Sequence, residues 1–123
     1  MQNQNSKLKT KLKDGAYQYS IRIIGFIDTL PNDTSSQVIK KQLLRSATSI
    51  GANIIEAQSS RSKRDFTNFF THSLKSANES LYWLGLLKDA KKISNAQLEY
   101  LLNETKELAN ILASSILTLK GKR

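Results

Sequence analysis

Cysteine is absent from these 123 residues. That excludes a disulfide frame, a thiolate nucleophile and a cysteine-based metal site, and it fits a cytoplasmic location. Histidine occurs once, at His72, and no Glu-x-x-His pair stands on a helical repeat, so the metal pattern of helix-bundle cores is missing. One proline and five glycines are too few for a loop-rich or turn-dense architecture. No run of about 18 apolar residues occurs, so no membrane-spanning helix is expected. The opening "MQNQNSKLKTKLKDG" is polar and basic, without the apolar centre of a secretion signal. No glycine-rich phosphate loop and no exposed-serine elbow is present. These absences leave no cofactor, metal or catalytic group to assign.

Acidic residues are also scarce. Lys and Arg outnumber Asp and Glu by 19 to 10, a net charge of +9. Such an excess favours polyanionic partners, with nucleic acid the first candidate.

What is present is helical periodicity. Tyr19, Ile23, Phe26 and Leu30 are spaced 4-3-4 and predict a first helix over residues 13–30. Leu8 and Leu12 keep its phase further back. Pro31 ends it, and Asp33, Thr34 or Ser35 can cap the next helix. Ile39, Leu43, Ala47, Ile50 and Ile54 form the stripe of the second. Ser62 followed by Asp65 reads as a capping box for the third, which carries Phe66, Phe70, Leu74, Ala77, Leu81 and Leu84. Ser94 or Asn95 caps the fourth, with Leu98, Leu101, Leu108, Leu112 and Leu119. Four amphipathic helices on short connections predict an all-α, antiparallel up-down four-helix bundle over residues 13–119. Residues 1–12 are a basic N-terminal arm or helix extension, and residues 120–123 are a basic tail.

One segment departs from the pattern. "SATSIGANII", residues 46–55, holds no charge, and six of its ten residues are Ser, Ala, Thr or Gly. A helix without a strongly solvated face is buried on more than one side. Leu44, Thr48, Gly51 and Ile55 make a second small or apolar stripe beside the core stripe. A single bundle gives it no obvious neighbour, so it is expected to meet another copy of the chain. Phe69 and Trp83, on a side stripe of the third helix, are candidate anchors of the same oligomer interface.

Polar candidates are few. Asn53 and Glu56 lie one turn apart on the second helix. They read as structural, bonded to Ser76 of the third helix or across a subunit contact. His72, Ser76 and Glu79 share a helix in an order that no hydrolase triad uses. His72 therefore reads as a satisfied or solvent-facing side chain, and the chain as no enzyme.

Basic residues fall in three groups. The first is Lys7, Lys9, Lys11 and Lys13. The second is Arg61, Lys63 and Arg64, with Lys40, Lys41 and Arg45 near in sequence. The third is Lys120, Lys122 and Arg123. In an up-down bundle the two termini and the loop between helices two and three share one end, so the groups are expected to form one basic pole. No aromatic residue is interleaved there, so phosphate contact rather than base stacking is expected.

The segment "KKQLLRSATSIGANIIEAQSSRSKRDF" closely resembles the signature of the bacterial four-helix-bundle proteins encoded within 23S ribosomal RNA intervening sequences. "SANESLYWLGLL", "YSIRIIGFIDTL" and "QLEYLLNETKELANILASSI" extend the resemblance over residues 13–119. It departs at Ala57-Gln58, where many members have glycine after the glutamate. The resemblance implies closed homopentamers of up-down bundles. A distant relative of the family, the accessory variability determinant of diversity-generating retroelements, is a basic pentamer that binds RNA and a reverse transcriptase. The expected function is a non-enzymatic homo-oligomeric scaffold that binds structured RNA or DNA through basic poles. The alternative is an assembly module whose partner is another protein.

Overall fold

A computed structural model describes residues 2–121, with side chains from residue 11 onward. The described chain is all-α, without a strand. Its four helices are α1 (Gln2–Ile27), α2 (Thr34–Gln58), α3 (Lys63–Asp89) and α4 (Ala96–Leu119). None of them is long and apolar enough to cross a membrane.

The helix ends follow from local chemistry. Ser62 accepts a hydrogen bond from the Asp65 N–H at 3.0 Å and Asn95 accepts one from Leu98 at 2.9 Å, so each satisfies a donor of its helix's first turn. Asp33 occupies the N-cap of α2 without a side-chain capping bond. Its carboxylate instead takes Lys92 at 2.8 Å and Ser35 at 3.0 Å. α1 stops at Ile27, three residues short of the expected Leu30. The Thr29 and Leu30 N–H groups reach back only three residues, to Phe26 and Ile27, as Pro31 approaches. Leu30 is still buried, so it belongs to the core without belonging to the helix. α3 closes with Lys91 in the left-handed region, at φ 56°. The Lys92 N–H bonds to the Leu87 carbonyl and the Lys91 N–H to that of Lys88, the pairing of a Schellman turn.

Among the described residues the helix backbones approach each other closely from α1 to α2, α2 to α3, α3 to α4 and α4 to α1, and not across either diagonal. α2 runs opposite to both α3 and α1. Ser46 and Ile50 on α2 meet Ser80 and Ser73 on α3, in reversed order. Gly51 of α2 meets Ala16, and Lys40 reaches the Leu30 carbonyl, which sets α1 against α2 likewise. The apolar stripes read from the sequence converge on one core, Leu81 excepted, which is only partly buried beside it; there Tyr19, Ile23, Phe26, Leu43, Ile50, Leu84, Leu98, Leu101 and Leu112 have no exposed surface.

Two polar features cross that core. The first is a layer of hydroxyls, one from each helix: Tyr19, Ser46, Ser80 and Thr105. Ser46 and Ser80 lie 2.8 Å apart, as do Ser80 and the Ser76 carbonyl to which it donates. Tyr19 and Thr105 lie 2.7 Å apart, and burial pushes the Tyr19 phenol up to about 12, against the opposing effect of its Thr105 bond. The second is a seam of small residues between α2 and α3. Ser73 donates to the Ile50 carbonyl at 2.8 Å, and Ser46, Ser73, Ala77 and Ser80 are all buried. Short side chains let the two backbones approach until a hydroxyl bridges them.

That seam, the core and α1 together account for five of the ten residues in the uncharged run at residues 46–55. Ser46 faces α3, Ala47, Ile50 and Ile54 face the core, and Gly51 lies under α1. A Cβ on Gly51 would stand 3.4 Å from that of Ala16. The assignment of Gly51 to an intersubunit surface is thus corrected, because its small size serves the close passage of α1 in the same chain.

Candidate nucleic-acid interface

The end of the molecule that holds the α2–α3 loop also holds the C-terminus of α4 and the N-terminal part of α1. Lys63, Arg64 and Lys120 border a shallow depression of about 370 Å³ with Thr67, Asn68 and Leu119. Lys11 stands beside Phe66 and Leu119 on a neighbouring groove, which brings α1 to the same end. Arg61 is exposed in the loop itself, and Lys13 is half-buried two residues on from Lys11, on the other side of α1. Six of the expected cations, Lys11, Lys13, Arg61, Lys63, Arg64 and Lys120, therefore gather at one pole. Lys7, Lys9, Lys122 and Arg123 lie outside the residues whose side chains are described.

Lys40 and Lys41 do not join them. They sit in the second turn of α2, and Lys40 donates to Asn32 and to the Leu30 carbonyl in the opposite loop. From Lys40 the helix runs another 18 residues (58 − 40) to its end at Gln58, before Arg61, roughly 27 Å at 1.5 Å per residue. Arg45, midway along α2, is bonded to Gln42 and paired with Glu79.

The two poles differ in how their charges are spent. The described ion pairs are Arg22–Glu104, Arg45–Glu79, Lys88–Glu99 at 3.0 Å and Lys92–Asp33 at 2.8 Å. The last two neutralise lysines of the far pole. None of the four involves a cation of the near pole. The N-terminus of α3, with the positive end of a 27-residue helix, opens at that pole between Lys63 and Arg64. Free cations with side-chain reach, next to donor N–H groups, suit phosphate oxygens. No exposed aromatic ring stands among them, which suits backbone contact and not base stacking.

The remaining candidates fall elsewhere. Asn53 donates to the Ser49 carbonyl of its own helix at 2.9 Å, and Glu56 is exposed. Neither meets Ser76, whose carbonyl accepts from Ser80, so the expected polar trio is not assembled within the chain. His72 is exposed on α3. Among the described residues no three His, Asp or Glu side chains gather as a metal site. Phe69 and Trp83 are partly buried against the core. Trp83 also donates to Glu79 at 2.9 Å and stands edge-on to Tyr82 at 5.0 Å. Leu44 and Ile55 remain 38% and 46% exposed.

Sequence reasoning passed over the α1–α4 groove, of about 740 Å³, floored by Leu12, Phe66, Phe70 and Leu108. The signal was Gly15, a small residue on the wall of α1 where a Cβ would meet nothing within 4 Å.

Among curated proteins none matches this chain. A crystal structure of a protein of unknown function from the S23 ribosomal protein family of Bacteroides thetaiotaomicron is similar to it. The two share 40% identity and superpose with a TM-score of 0.81, over 88% of this chain and 96% of that one. The sequence profile of the 23S rRNA-intervening sequence proteins matches residues 9–114. The chain belongs to the 23S rRNA-intervening sequence protein family.

Proposed function

We propose that this protein is a non-enzymatic, homo-oligomeric scaffold, a pentamer of up-down four-helix bundles, that binds structured RNA or DNA through its basic pole. The observation that carries the nucleic-acid reading is the contrast between the poles. At the far pole Lys88 and Lys92 are held by Glu99 and Asp33, with Lys40, Lys41 and Lys91 outside any described ion pair, whereas among the described residues none of Lys11, Lys13, Arg61, Lys63, Arg64 and Lys120 pairs with a carboxylate. Unpaired cations gathered in one place cost self-repulsion, and a polyanion relieves it. The family's name, which links it to intervening sequences of 23S ribosomal RNA, is compatible with an RNA partner. The oligomer is supported by apolar side chains left in solvent on α1 and α2.

The test is fluorescence anisotropy with an RNA hairpin and a DNA duplex over a range of salt. Affinity is expected to fall steeply, with a slope near −0.9 per phosphate neutralised on duplex DNA. The variant Arg61→Ala/Lys63→Ala/Arg64→Ala is expected to lower affinity and flatten the slope with the oligomer intact. Lys88→Ala/Lys91→Ala/Lys92→Ala removes as many charges from the other pole and is expected to matter less. Equal losses would mean that total charge alone counts. Absence of binding at low salt to either probe would transfer the reading to a protein partner.

A further inference from the structure

Five of the ten exposed large apolar side chains among the described residues stand on one ridge. Tyr17, Ile21 and Ile24 point outward from α1 at i, i+4 and i+7, and Leu44 and Ile55 flank them on α2, all between 38% and 60% exposed. The Gly51–Ala16 contact fixes the level of the ridge: Tyr17 is the residue after Ala16, and Ile55 lies one turn from Gly51. A different apolar surface lies around the corner of α1. There α1 and α4 touch over a short stretch only, and below the Arg22–Glu104 pair they leave the groove open, with Ile111 on its rim at 49% exposure. Leu12, on the groove wall, is one turn from Ala16, so Tyr17 and Ile55 stand level with the groove.

We propose that the occupant of the α1–α4 groove is a second copy of this chain, which inserts Tyr17 and Ile55 of its α1–α2 ridge there in a head-to-tail contact. The inference rests on the homo-oligomeric reading and assigns its two surfaces. Three observations favour it. The ridge is convex and the groove concave, so pairing ridge with ridge would leave the groove, with its Phe66 and Phe70 floor, unfilled. The rims do not repel: Glu107 stands on the groove beside Lys11, and neither Glu107 nor Lys13, one turn before Tyr17, belongs to an ion pair described within the chain. Finally, the two faces share α1 as their common edge. In a bundle whose backbones meet around the perimeter and not across it, adjacent faces lie at about 90°. Neighbours in a closed ring lie at about 90° for four subunits and about 108° for five, so this contact turns toward a small ring and away from a filament. α1 is then the helix nearest the ring axis.

Complementation tests the assignment. Tyr17→Glu/Ile55→Glu disables the ridge and Ile111→Glu disables the groove. All three positions are solvent-exposed in the subunit, and circular dichroism checks that the fold persists. By native mass spectrometry each variant alone is expected at the monomer mass of 13.8 kDa while the wild type assembles beyond a dimer. Mixed, the two variants are expected to form a 1:1 heterodimer of 2 × 13.8, or 27.6 kDa, and nothing larger, because one intact groove meets one intact ridge. The mixture is measured at the high concentration that a single contact without ring closure needs. Two monomeric variants that fail to pair would overturn the head-to-tail contact while leaving the oligomer standing. Normal assembly of either variant alone would place the interface elsewhere. A monomeric wild type would overturn the homo-oligomeric reading itself.

Discussion

The Tyr19 hydroxyl donates to Thr105, 2.7 Å away, because Thr105 commits its own proton to the Leu101 carbonyl at 2.6 Å. Tyr19→Phe is expected to destabilise the fold by about 1 kcal/mol, read from the urea midpoint. Burial of the same phenol, against the opposing effect of that bond, gives a pH signature. The folded phenol titrates at about 12 and the unfolded one near 10. The stability it confers is whole below pH 10 and is lost as pH rises toward 12, where the unfolded chain has released a proton that the folded one retains. Tyr19→Phe is expected to remove this source of alkaline loss.

At Gly51 the outcome depends on size. Gly51→Ala places its methyl at ordinary contact with Ala16 and gains up to about 1 kcal/mol of helix propensity, so stability is expected to hold or rise. Gly51→Leu must push α1 away and is expected to cost about 1–3 kcal/mol, the range for overpacked cores. Thermal melts of the two variants, with opposite signs, check this.

Lys91 holds a left-handed conformation that glycine adopts without a Cβ penalty. Lys91→Gly is expected to stabilise the subunit by about 1 kcal/mol, and Lys91→Val to weaken it. Denaturant midpoints give both values.

The Lys92 ammonium on Asp33 holds that carboxyl well below the usual carboxylate range, with Ser36 and Ser35 assisting. The contribution is present above the unfolded pKa and is lost as pH falls through the folded one, on the acid side of ordinary carboxylates. Lys92→Met is expected to raise the Asp33 pKa, measured by carboxyl carbon shifts in an NMR titration. An unchanged titration would mean that solvent already screens the pair.

His72→Ala is expected to leave fold, assembly and nucleic-acid affinity within about 1 kcal/mol of wild type, since the side chain is exposed. Stoichiometric metal bound through His72 would contradict it.

The core and the caps were legible because each carries its own local signal. Apolar residues at 3-4 spacing have one physical use in a small helical chain, and Ser62 and Asn95 cap as their sequence neighbours imply. Basic residues were legible where the turn fixes them, as at Arg61, Lys63 and Arg64. Lys40 and Lys41 misled because nearness along a helix is distance in space. Small residues were the ambiguous signal. Glycine at position 51 looks the same whether the backbone passing over it belongs to α1 or to another chain. The α2–α3 seam was readable in principle: Ser46, Ser49 and Asn53 repeat at i, i+3 and i+7, and Ser73, Ser76 and Ser80 do the same on the next helix. The α1–α4 groove left a weaker trace, one glycine on an otherwise ordinary wall.

The unequal packing of the four helices gives the subunit a grain. α2 and α3 are joined along their length by the serine seam, whereas α1 is held to α4 by little beyond Tyr19 and Arg22. Amide protons of the N-terminal half of α1 should therefore exchange with solvent through openings that leave the α2–α3 hairpin closed. A neighbour seated in the groove would suppress those openings, which makes the order of α1 a property of protein concentration as much as of sequence.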